Sequence, residues 1–345
     1  MKKKALIFGI TGQDGYYLSK FLLNKNYEVH GVKRKSSTVY SYRTDELYDK
    51  FFLKNKPTFF LHYGDVTDSI SILNIIKKIK PDEIYNLAAQ SHVKVSFDIP
   101  DYSSNVDALG ALRILEVIKN LNRSIKFYQA SSSEMFGNVK APQNEKSLFA
   151  PNSPYSISKL YSYWITRAYR DAYKIFATNG ILFNHESPLR GETFVTKKIT
   201  QYVAKEKLKQ NKQLLYLGNL DSKRDWGHAS DYVRAMWLMM QQKQPDDFVI
   251  ATGVSTSVRK FVEKSFNFIG IKIKWKGKGV NEVGLDKKTG KKLIKIDKRL
   301  FRPNEVHFLK GNSQKAKKVL KWSPSIKLEK LIQEMINFDL IKLKN

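Results

Sequence analysis

The sequence contains no cysteine among its 345 residues. It can form no disulfide bond, and it excludes both thiolate catalysis and zinc sites built on thiolates. A chain without cysteine fits a reducing compartment, so we expect a cytoplasmic protein. We expect no bound metal.

Long apolar runs are also missing. No stretch approaches the length required to cross a bilayer, so we expect no membrane partner. The first residues, Lys2–Lys4, lead directly into a strand-like run, Ala5–Phe8. A signal peptide would need a longer apolar segment and a small-residue cleavage site, so we expect none here.

Arginine is scarce among the cations, because it supplies only 12 of the 61 basic residues in a chain of net charge +29. Such a charge is typical of proteins that bind nucleic acid. The lysines, however, are scattered through helices and loops in company with Asn, Ile and Phe. We interpret the excess charge as a solvated basic surface and expect no nucleic-acid partner.

Strand-like and helix-like segments alternate through the first 185 residues of the chain. This alternation predicts an α/β fold, with a Rossmann-like doubly wound parallel sheet. Strands are predicted at Lys4–Gly9, Tyr27–Lys33, Phe59–Asp65, Glu83–Leu87, Ile125–Ala130 and Ala177–Phe183. Helices are predicted at Asp14–Asn26, Ile70–Ile79, Val106–Leu121 and Pro154–Tyr173.

The pattern is less regular after residue 184, which predicts a smaller C-terminal substrate-binding domain. We assign 1–184 mainly to a dinucleotide-binding domain and 185–345 mainly to the second domain, interleaved, with a late segment returning to the first. Helices are predicted at Phe194–Gln210, Ser230–Gln242 and Leu328–Leu340, strands at Leu214–Leu217 and Phe248–Ala251, and an exposed loop or hairpin at Lys272–Arg299.

A glycine-rich segment lies directly between the first predicted strand and the first predicted helix. Glycines at this place let the backbone turn tightly and approach a pyrophosphate, which binds at the helix N-terminus. Because a predicted strand precedes this segment and a predicted helix follows it, an ordinary turn is a poor interpretation of the glycines. The candidate cofactor-binding residues are Gly9, Thr11, Gly12, Gln13, Asp14 and Gly15.

The residues after the second predicted strand favour NADP over NAD. An acid usually follows this strand in NAD sites, whereas this chain has Arg34 with Ser36 and Ser37, which could bind a 2′-phosphate. An ordinary basic loop is the alternative. Further candidate cofactor residues follow the third and fourth strands: Asp65, Val66, Leu87, Ala88, Ala89, Gln90 and Ser91.

Tyr155 and Lys159 are four residues apart on a predicted helix and therefore project from one face. We expect the lysine ammonium to lower the pKa of the phenol, so that Tyr155 can remove a hydroxyl proton while hydride leaves for a nicotinamide. Ser132, at the end of the preceding strand, would hydrogen-bond the same substrate oxygen.

Glu134 has no function in a simple alcohol oxidation. Once a sugar carries a 4-keto group, the proton on carbon 5 is acidic, and a carboxylate can remove it while the 6-hydroxyl leaves as water. Ser133 could assist this elimination. The alternative for Glu134 is a solvated acid at the end of a strand.

The chain resembles the GDP-mannose 4,6-dehydratase family of the extended short-chain dehydrogenase/reductases over nearly its whole length. The resemblance rests on the glycine segment and on five later motifs. They are Leu87-Ala-Ala-Gln-Ser-His-Val93, Asn184-His-Glu-Ser-Pro188, Arg190-Gly-Glu-Thr-Phe-Val-Thr196, Arg224-Asp-Trp-Gly-His228 and Arg302-Pro-Asn-Glu-Val306.

This resemblance implies a lyase that converts a GDP-sugar to its 4-keto-6-deoxy form plus water by internal hydride transfer through NADP. Ser132, Glu134, Tyr155 and Lys159 would be catalytic, with Ser133 assisting. Tyr102, His185 and Arg190 would help to bind the cofactor. The GDP-sugar would be bound by Asn184, Lys198, Arg224, Arg302 and Glu305. A basic loop at about Arg34–Arg43 that reaches a neighbouring subunit implies a homotetramer, with a dimer as the alternative.

Three departures from the family pattern leave the sugar open. Ser132 replaces a usual Thr, Leu189 replaces the first Arg of Pro-Arg-Arg-Gly and removes a charge near the nucleotide, and Tyr40 and Tyr42 replace smaller residues. GDP-mannose and GDP-D-glycero-manno-heptose are both candidate substrates. A nucleotide-sugar epimerase or reductase is an alternative function, and a non-catalytic basic protein that binds NADP or nucleic acid is a weaker one.

Overall fold

The computed structural model describes residues 2–35, 42–53, 56–121 and 124–344. The strands are β1 (Lys4–Phe8), β2 (Glu28–Lys33), β3 (Phe59–Tyr63), β4 (Glu83–Asn86), β5 (Lys126–Ser132), β6 (Ala177–Leu182), β7 (His185–Glu186), β8 (Leu215–Leu217), β9 (Lys223–Asp225), β10 (Gly227–His228), β11 (Phe248–Ile250), β12 (Ser255–Ser257), β13 (Ile273–Lys276), β14 (Val283–Asp286) and β15 (Lys292–Ile296).

The helices are α1 (Gln13–Asn24), α2 (Tyr42–Phe51), α3 (Ser69–Ile79), α4 (Val93–Asp98), α5 (Pro100–Ser104), α6 (Gly110–Leu121), α7 (Pro154–Tyr173), α8 (Val195–Lys207), α9 (Ala229–Met240), α10 (Val258–Phe268) and α11 (Leu328–Lys344). A π-helical turn, Asn105–Leu109, joins α5 to α6, and a 3₁₀ turn, Ser133–Phe136, follows β5.

The central sheet has seven strands in the order β11-β6-β5-β4-β1-β2-β3, and every neighbouring pair is parallel. Two hydrophobic clusters cover its faces, one including α1 and α9 and the other including α3 and α6. The prediction of a doubly wound Rossmann-like fold is confirmed. The chain order reverses between β1 and β4, which is where ligands bind in such sheets.

The helix α7 spans the predicted residues, and its start is strongly specified by its first turn. The Ser153 hydroxyl caps the helix by accepting a hydrogen bond from the Ser156 amide, and the Ser156 hydroxyl oxygen in turn accepts one from the Ser153 amide. Pro154 occupies the first turn, where no amide hydrogen is needed. This start fixes the rotation of α7 and hence the face on which Tyr155 and Lys159 lie.

The second half of the chain builds a smaller layer beside the C-terminal edge of the sheet. A four-stranded sheet, in the order β13-β14-β15-β8, packs with α8, α10 and α11 around a third hydrophobic cluster. The segment predicted as a loop or hairpin is the antiparallel part of this sheet. In contrast, β11 pairs with β6 and lies in the central sheet.

Sequence reasoning did not identify α2, α4, α5 or α10. In the parts of the chain that the structure describes, no helix combines the length and the apolar character needed to span a membrane.

Candidate active site

A cleft of about 520 Å³ lies along the C-terminal edge of the central sheet, between the sheet and the smaller layer. It brings together 26 of the 27 residues chosen from the sequence, which are Gly9, Thr11, Gly12, Gln13, Asp14, Gly15, Arg34, Asp65, Val66, Leu87, Ala88, Ala89, Ser91, Tyr102, Ser132, Ser133, Glu134, Tyr155, Lys159, Asn184, His185, Arg190, Lys198, Arg224, Arg302 and Glu305.

Gln90 is the exception, because it is not among the residues that line this cleft. Its backbone amide donates a hydrogen bond to the Asp107 carboxylate at 2.9 Å, and its side-chain oxygen accepts one from the Ser103 hydroxyl at 3.3 Å. In this structure Gln90 therefore links the loop after β4 to the residues behind the cleft.

The glycine segment lies so close to neighbouring backbone that Gly9 and Gly15 leave no room for a side chain. A Cβ atom on Gly9 would lie 2.7 Å from the backbone of Leu87 and Ala88, and one on Gly15 would lie 2.4 Å from the Ile10 carbonyl oxygen. Gly12 caps α1 without a side-chain hydrogen bond, so the first amides of the helix have no side-chain partner from the cap. The segment thus fits a pyrophosphate held by backbone amides.

Asp14 lies at this same helix N-terminus and is paired with His185. His185 Nε2 is 2.7 Å from the Asp14 carboxylate, and Nδ1 is 2.8 Å from the Phe183 carbonyl oxygen. Both ring nitrogens face acceptors, which only the protonated imidazole satisfies. Burial alone would lower the pKa of His185, but the interaction with Asp14 outweighs burial and raises it. The pair neutralises a carboxylate that would otherwise repel a phosphate.

Arg34 and Tyr102 contact each other at the far end of the cleft, where the guanidinium donates a hydrogen bond to the phenol oxygen. Asp65 Oδ1 accepts hydrogen bonds from the Thr67 amide and hydroxyl, at 2.9 and 2.8 Å. Asp65 therefore stabilises a turn as well as lining the cleft.

Tyr155 and Lys159 are both buried, and Lys159 Nζ lies 5.8 Å from the centre of the Tyr155 ring. The Lys159 ammonium donates a hydrogen bond to the Ala130 carbonyl at 3.1 Å. Burial, and after it the Asp107 carboxylate, raise the pKa of Tyr155, while a hydrogen bond to Ser132 lowers it by less. The pKa of Tyr155 is therefore raised on balance, because desolvation dominates, and the lowering by the lysine stays a prediction.

Glu134 is buried in the 3₁₀ turn that follows β5, so the solvated-acid interpretation does not fit. Its amide donates a hydrogen bond to the Ser132 hydroxyl at 3.2 Å. Both of its carboxylate oxygens are 3.4 Å from Arg302 Nη1, and one is 3.9 Å from Arg224 Nε. The arginines therefore compensate the charge of a carboxylate that is mostly removed from water.

Gly137 closes this turn in a conformation that other residues rarely adopt. Its φ is +56°, and an added Cβ would lie 1.9 Å from the Ala150 carbonyl oxygen. We expect Gly137→Ala to lower the free energy of unfolding by at least about 2 kcal/mol, through strain and this clash. Urea unfolding would measure the loss. Gly290→Ala is the matched control, since Gly290 has φ +74° but open space around it; an equal loss in both variants would contradict the packing explanation.

The sequence revealed only some of the residues that the second half of the chain contributes to the cleft, among them Lys198, Arg224 and Arg302. The sequence did not indicate Tyr216 in β8, Asn219 and Ser222 after β8, or Phe194 before α8, all of which also line the cleft. The Arg190 guanidinium lies 3.7 Å from the centre of the Phe194 ring. For these residues, the only sequence feature that could have indicated a place in the cleft was the position of Phe194 in the Arg190–Thr196 motif.

The structure locates two of the three differences from the family pattern, at Ser132 and Leu189, but not the third. Ser132 lines the cleft, whereas Leu189 packs against the hydrophobic cluster of the central sheet and is not among the lining residues. Because Leu189 does not line the cleft, the structure gives no sign that replacing an arginine at this position removes a charge beside the bound nucleotide. Tyr40 and the side chain of Tyr42 lie outside the described residues.

Comparison with solved structures finds the same fold over nearly the whole chain. A UDP-glucose 4-epimerase from Thermotoga maritima superposes with a TM-score of 0.80 at 21% identity, over 99% of each chain. A dTDP-glucose 4,6-dehydratase from Bacillus anthracis superposes with a TM-score of 0.79 at 19% identity, over 97% of this chain and 96% of that one. At these identities the likeness defines the fold.

The sequence comparisons are more specific. The profile of the GDP-mannose 4,6 dehydratase family matches residues 6–335. The human GDP-mannose 4,6 dehydratase is 54% identical over 97% of this chain and 91% of its own length, and the Vibrio cholerae GDP-mannose 4,6-dehydratase is 52% identical over 99% and 94%. The chain belongs to the GDP-mannose 4,6-dehydratase family, which confirms the resemblance and the prediction of a GDP-sugar 4,6-dehydratase.

Proposed function

We propose that the protein is an NADP-dependent hydro-lyase that converts GDP-mannose to GDP-4-keto-6-deoxymannose and water. The observation that carries this proposal is the burial of the Glu134 carboxylate in the same cleft as Ser132, Tyr155 and Lys159. An epimerase or reductase would need the last three residues but no base for carbon 5. Membership of the family supports the same reaction.

In the oxidation, Tyr155 takes the proton of the 4-hydroxyl and Ser132 holds the same oxygen. A bound nicotinamide supplies the acceptor for the hydride from carbon 4, the donor that returns it to carbon 6, and a positive ring charge that favours the phenolate. The glycine segment at the start of α1, and the buried Asn184 Oδ1, which has no hydrogen-bond partner among the described residues, support a bound ligand here.

In the elimination, Glu134 removes the proton from carbon 5 and passes it to the departing 6-hydroxyl, assisted by Ser133. Arg224 and Arg302 would bind the diphosphate, which suits their guanidinium groups. Arg224 Nη2 also donates to Glu305 at 3.2 Å, so Glu305 orients it.

Product mass tests the reaction class and the sugar together. We expect the pure protein with NADP to remove one water, about 18 Da, from GDP-mannose without an added oxidant. A parallel incubation with GDP-D-glycero-manno-heptose separates the two candidate sugars. Oxidation without water loss, or epimerisation at constant mass, would contradict the dehydratase function; faster turnover of the heptose would contradict only the choice of sugar.

Arg34 provides the test of NADP preference. We expect Arg34→Ala to raise the KM for NADP by about 10-fold to 100-fold, since a charge-assisted hydrogen bond contributes about 1.5–3 kcal/mol. The KM for NAD should change little. Lys35→Ala is the control, because Lys35 is the adjacent cation but is not among the cleft residues. Equal changes for both cofactors, or in both variants, would exclude a 2′-phosphate contact.

We propose a cytoplasmic homotetramer, with the dimer as the alternative. Ile157, Tyr161 and Trp164 lie on one face of α7 and are 56%, 40% and 51% exposed, which supports self-association. The assignment of 1–184 to the cofactor and 185–345 to the GDP-sugar also stays a proposal. Light scattering on the pure protein would measure the assembly, and a monomer at all concentrations would contradict it.

A further inference from the structure

His92 lines the cleft, but the proposed reaction assigns it no role. It ends the loop after β4 and caps the N-terminus of α4, where its Nδ1 accepts a hydrogen bond from the Val95 amide at 3.3 Å. A ring nitrogen that accepts a hydrogen bond carries no proton, so the neutral imidazole carries its hydrogen on Nε2. The helix cap therefore makes Nε2 a hydrogen-bond donor.

The ring of His92 is also held by an aromatic contact. It packs against Phe194, with 5.4 Å between the ring centres, and the Arg190 guanidinium lies 3.7 Å from the centre of the same Phe194 ring. All three side chains line the cleft. In the described parts of the chain, no side chain forms a hydrogen bond with His92. The Nε2 donor is therefore available to a ligand in the cleft.

The surroundings of this donor are positively charged. Burial, and after it the charges of three cleft residues, lower the pKa of His92, so its ring is neutral near neutral pH. The three residues are Arg302, Lys198 and Arg190. An anion with several oxygens suits a neutral donor that lies among cations, and the diphosphate of a GDP-sugar is such a group.

We propose that His92 is a binding residue for the diphosphate of the GDP-sugar: its Nε2–H donates a hydrogen bond to a phosphate oxygen, while Nδ1 fixes the ring through the Val95 amide. The inference rests on the proposed function, because it takes a GDP-sugar as the ligand. A hydroxyl of the sugar could also accept from Nε2. A phosphate oxygen carries charge, however, so it forms the stronger hydrogen bond and is attracted by Arg302 and Lys198.

His92→Asn separates the two nitrogens of the ring. The Asn side-chain oxygen can replace Nδ1 at the helix cap, because Asn is a preferred N-cap residue, but no atom replaces Nε2. Calorimetry with NADPH bound, which cannot accept a hydride, would measure binding without turnover. We expect the Kd values for GDP and for GDP-mannose both to rise by about 10-fold. The Kd for guanosine, which has no phosphate, should not change.

His92→Gln makes the opposite change. The Gln amide nitrogen can reach the position of Nε2, but no atom replaces Nδ1. We expect the affinity for GDP to stay within about threefold of the parent, and the free energy of unfolding to fall because the cap is lost. Equal weakening of GDP binding in the Asn and Gln variants would overturn the proposal. Weakened binding of GDP-mannose alone would also overturn it, because the contact would then be to the sugar.

His228→Asn is the matched control for the helix cap. His228 caps α9 in the same way, with Nδ1 accepting a hydrogen bond from the Ser230 amide at 3.0 Å, but it is not among the residues that line the cleft. The affinity of this variant for GDP should equal that of the parent. A loss as large as in His92→Asn would overturn the proposal.

Nitrogen-15 NMR of the parent protein with labelled histidine gives a readout that needs no turnover. We expect the His92 ring to be protonated on Nε2, and the Nε2 resonance to shift when GDP binds. A ring protonated on Nδ1, or a resonance that GDP leaves unchanged, would overturn the inference even if His92→Asn did not fold. If the protein bound GDP in this way but removed no water from GDP-mannose, the proposed function would fail and the assignment of His92 would stand.

Discussion

Glu134→Gln should slow the loss of water by at least about 100-fold, because an amide cannot accept the proton from carbon 5. The oxidation at carbon 4 does not use this carboxylate, so a single turnover should still form reduced cofactor, which then persists. Absorbance of the reduced nicotinamide and product mass, recorded on the same sample, would measure the two steps separately.

The matched control for this change is Glu282→Gln. Glu282 is also mostly buried against an arginine, with 3.1 Å between Glu282 Oε2 and Arg259 Nη2, but it lies outside the cleft. Its replacement removes the same charge and should leave both steps unchanged. Water loss at the parental rate in Glu134→Gln would show that Glu134 is not the base.

Tyr155→Phe should block the reaction before the point at which Glu134 acts. Without the phenol oxygen no group receives the 4-hydroxyl proton, and we expect the rate of oxidation to fall by roughly 1,000-fold. A single turnover should then form neither reduced cofactor nor dehydrated product. Rapid mixing with a GDP-sugar, followed by absorbance, would measure this directly.

Tyr163→Phe removes a phenol from the same helix and serves as the control. Tyr163 is 1% exposed, and its oxygen accepts a hydrogen bond from Arg167 at 3.1 Å, outside the cleft. It should oxidise the sugar at the parental rate. If Tyr155→Phe formed reduced cofactor as fast as Tyr163→Phe, another group would have to receive the proton.

The sequence predicted the parts of the site whose residues are close together in the chain. The glycine segment between β1 and α1, and the pair on α7, depend on local rules for turns and helix faces. These rules act within a few residues, so the local sequence pattern was sufficient to predict both features. The confirmed parallel sheet follows from the same kind of local alternation.

The features that sequence reasoning missed depend on contacts between distant segments. Asp107 lies 52 residues from Lys159 in the chain, and no local pattern shows that the two share a buried region. The upward shift in the pKa of Tyr155 has the same origin, because it depends on how completely the fold removes water. Leu189 occupies a motif position next to a cleft residue but packs against the core.

Deuterium at carbon 4 of GDP-mannose tests the central claim most directly. In an internal dehydration the label leaves carbon 4 and returns to carbon 6 of the same sugar, so the product methyl group should carry it, with loss of one water and no net consumption of NADP. Mass spectrometry and NMR of the product would locate it. Product without the label on carbon 6, or reduced cofactor accumulating in proportion to product, would contradict the account.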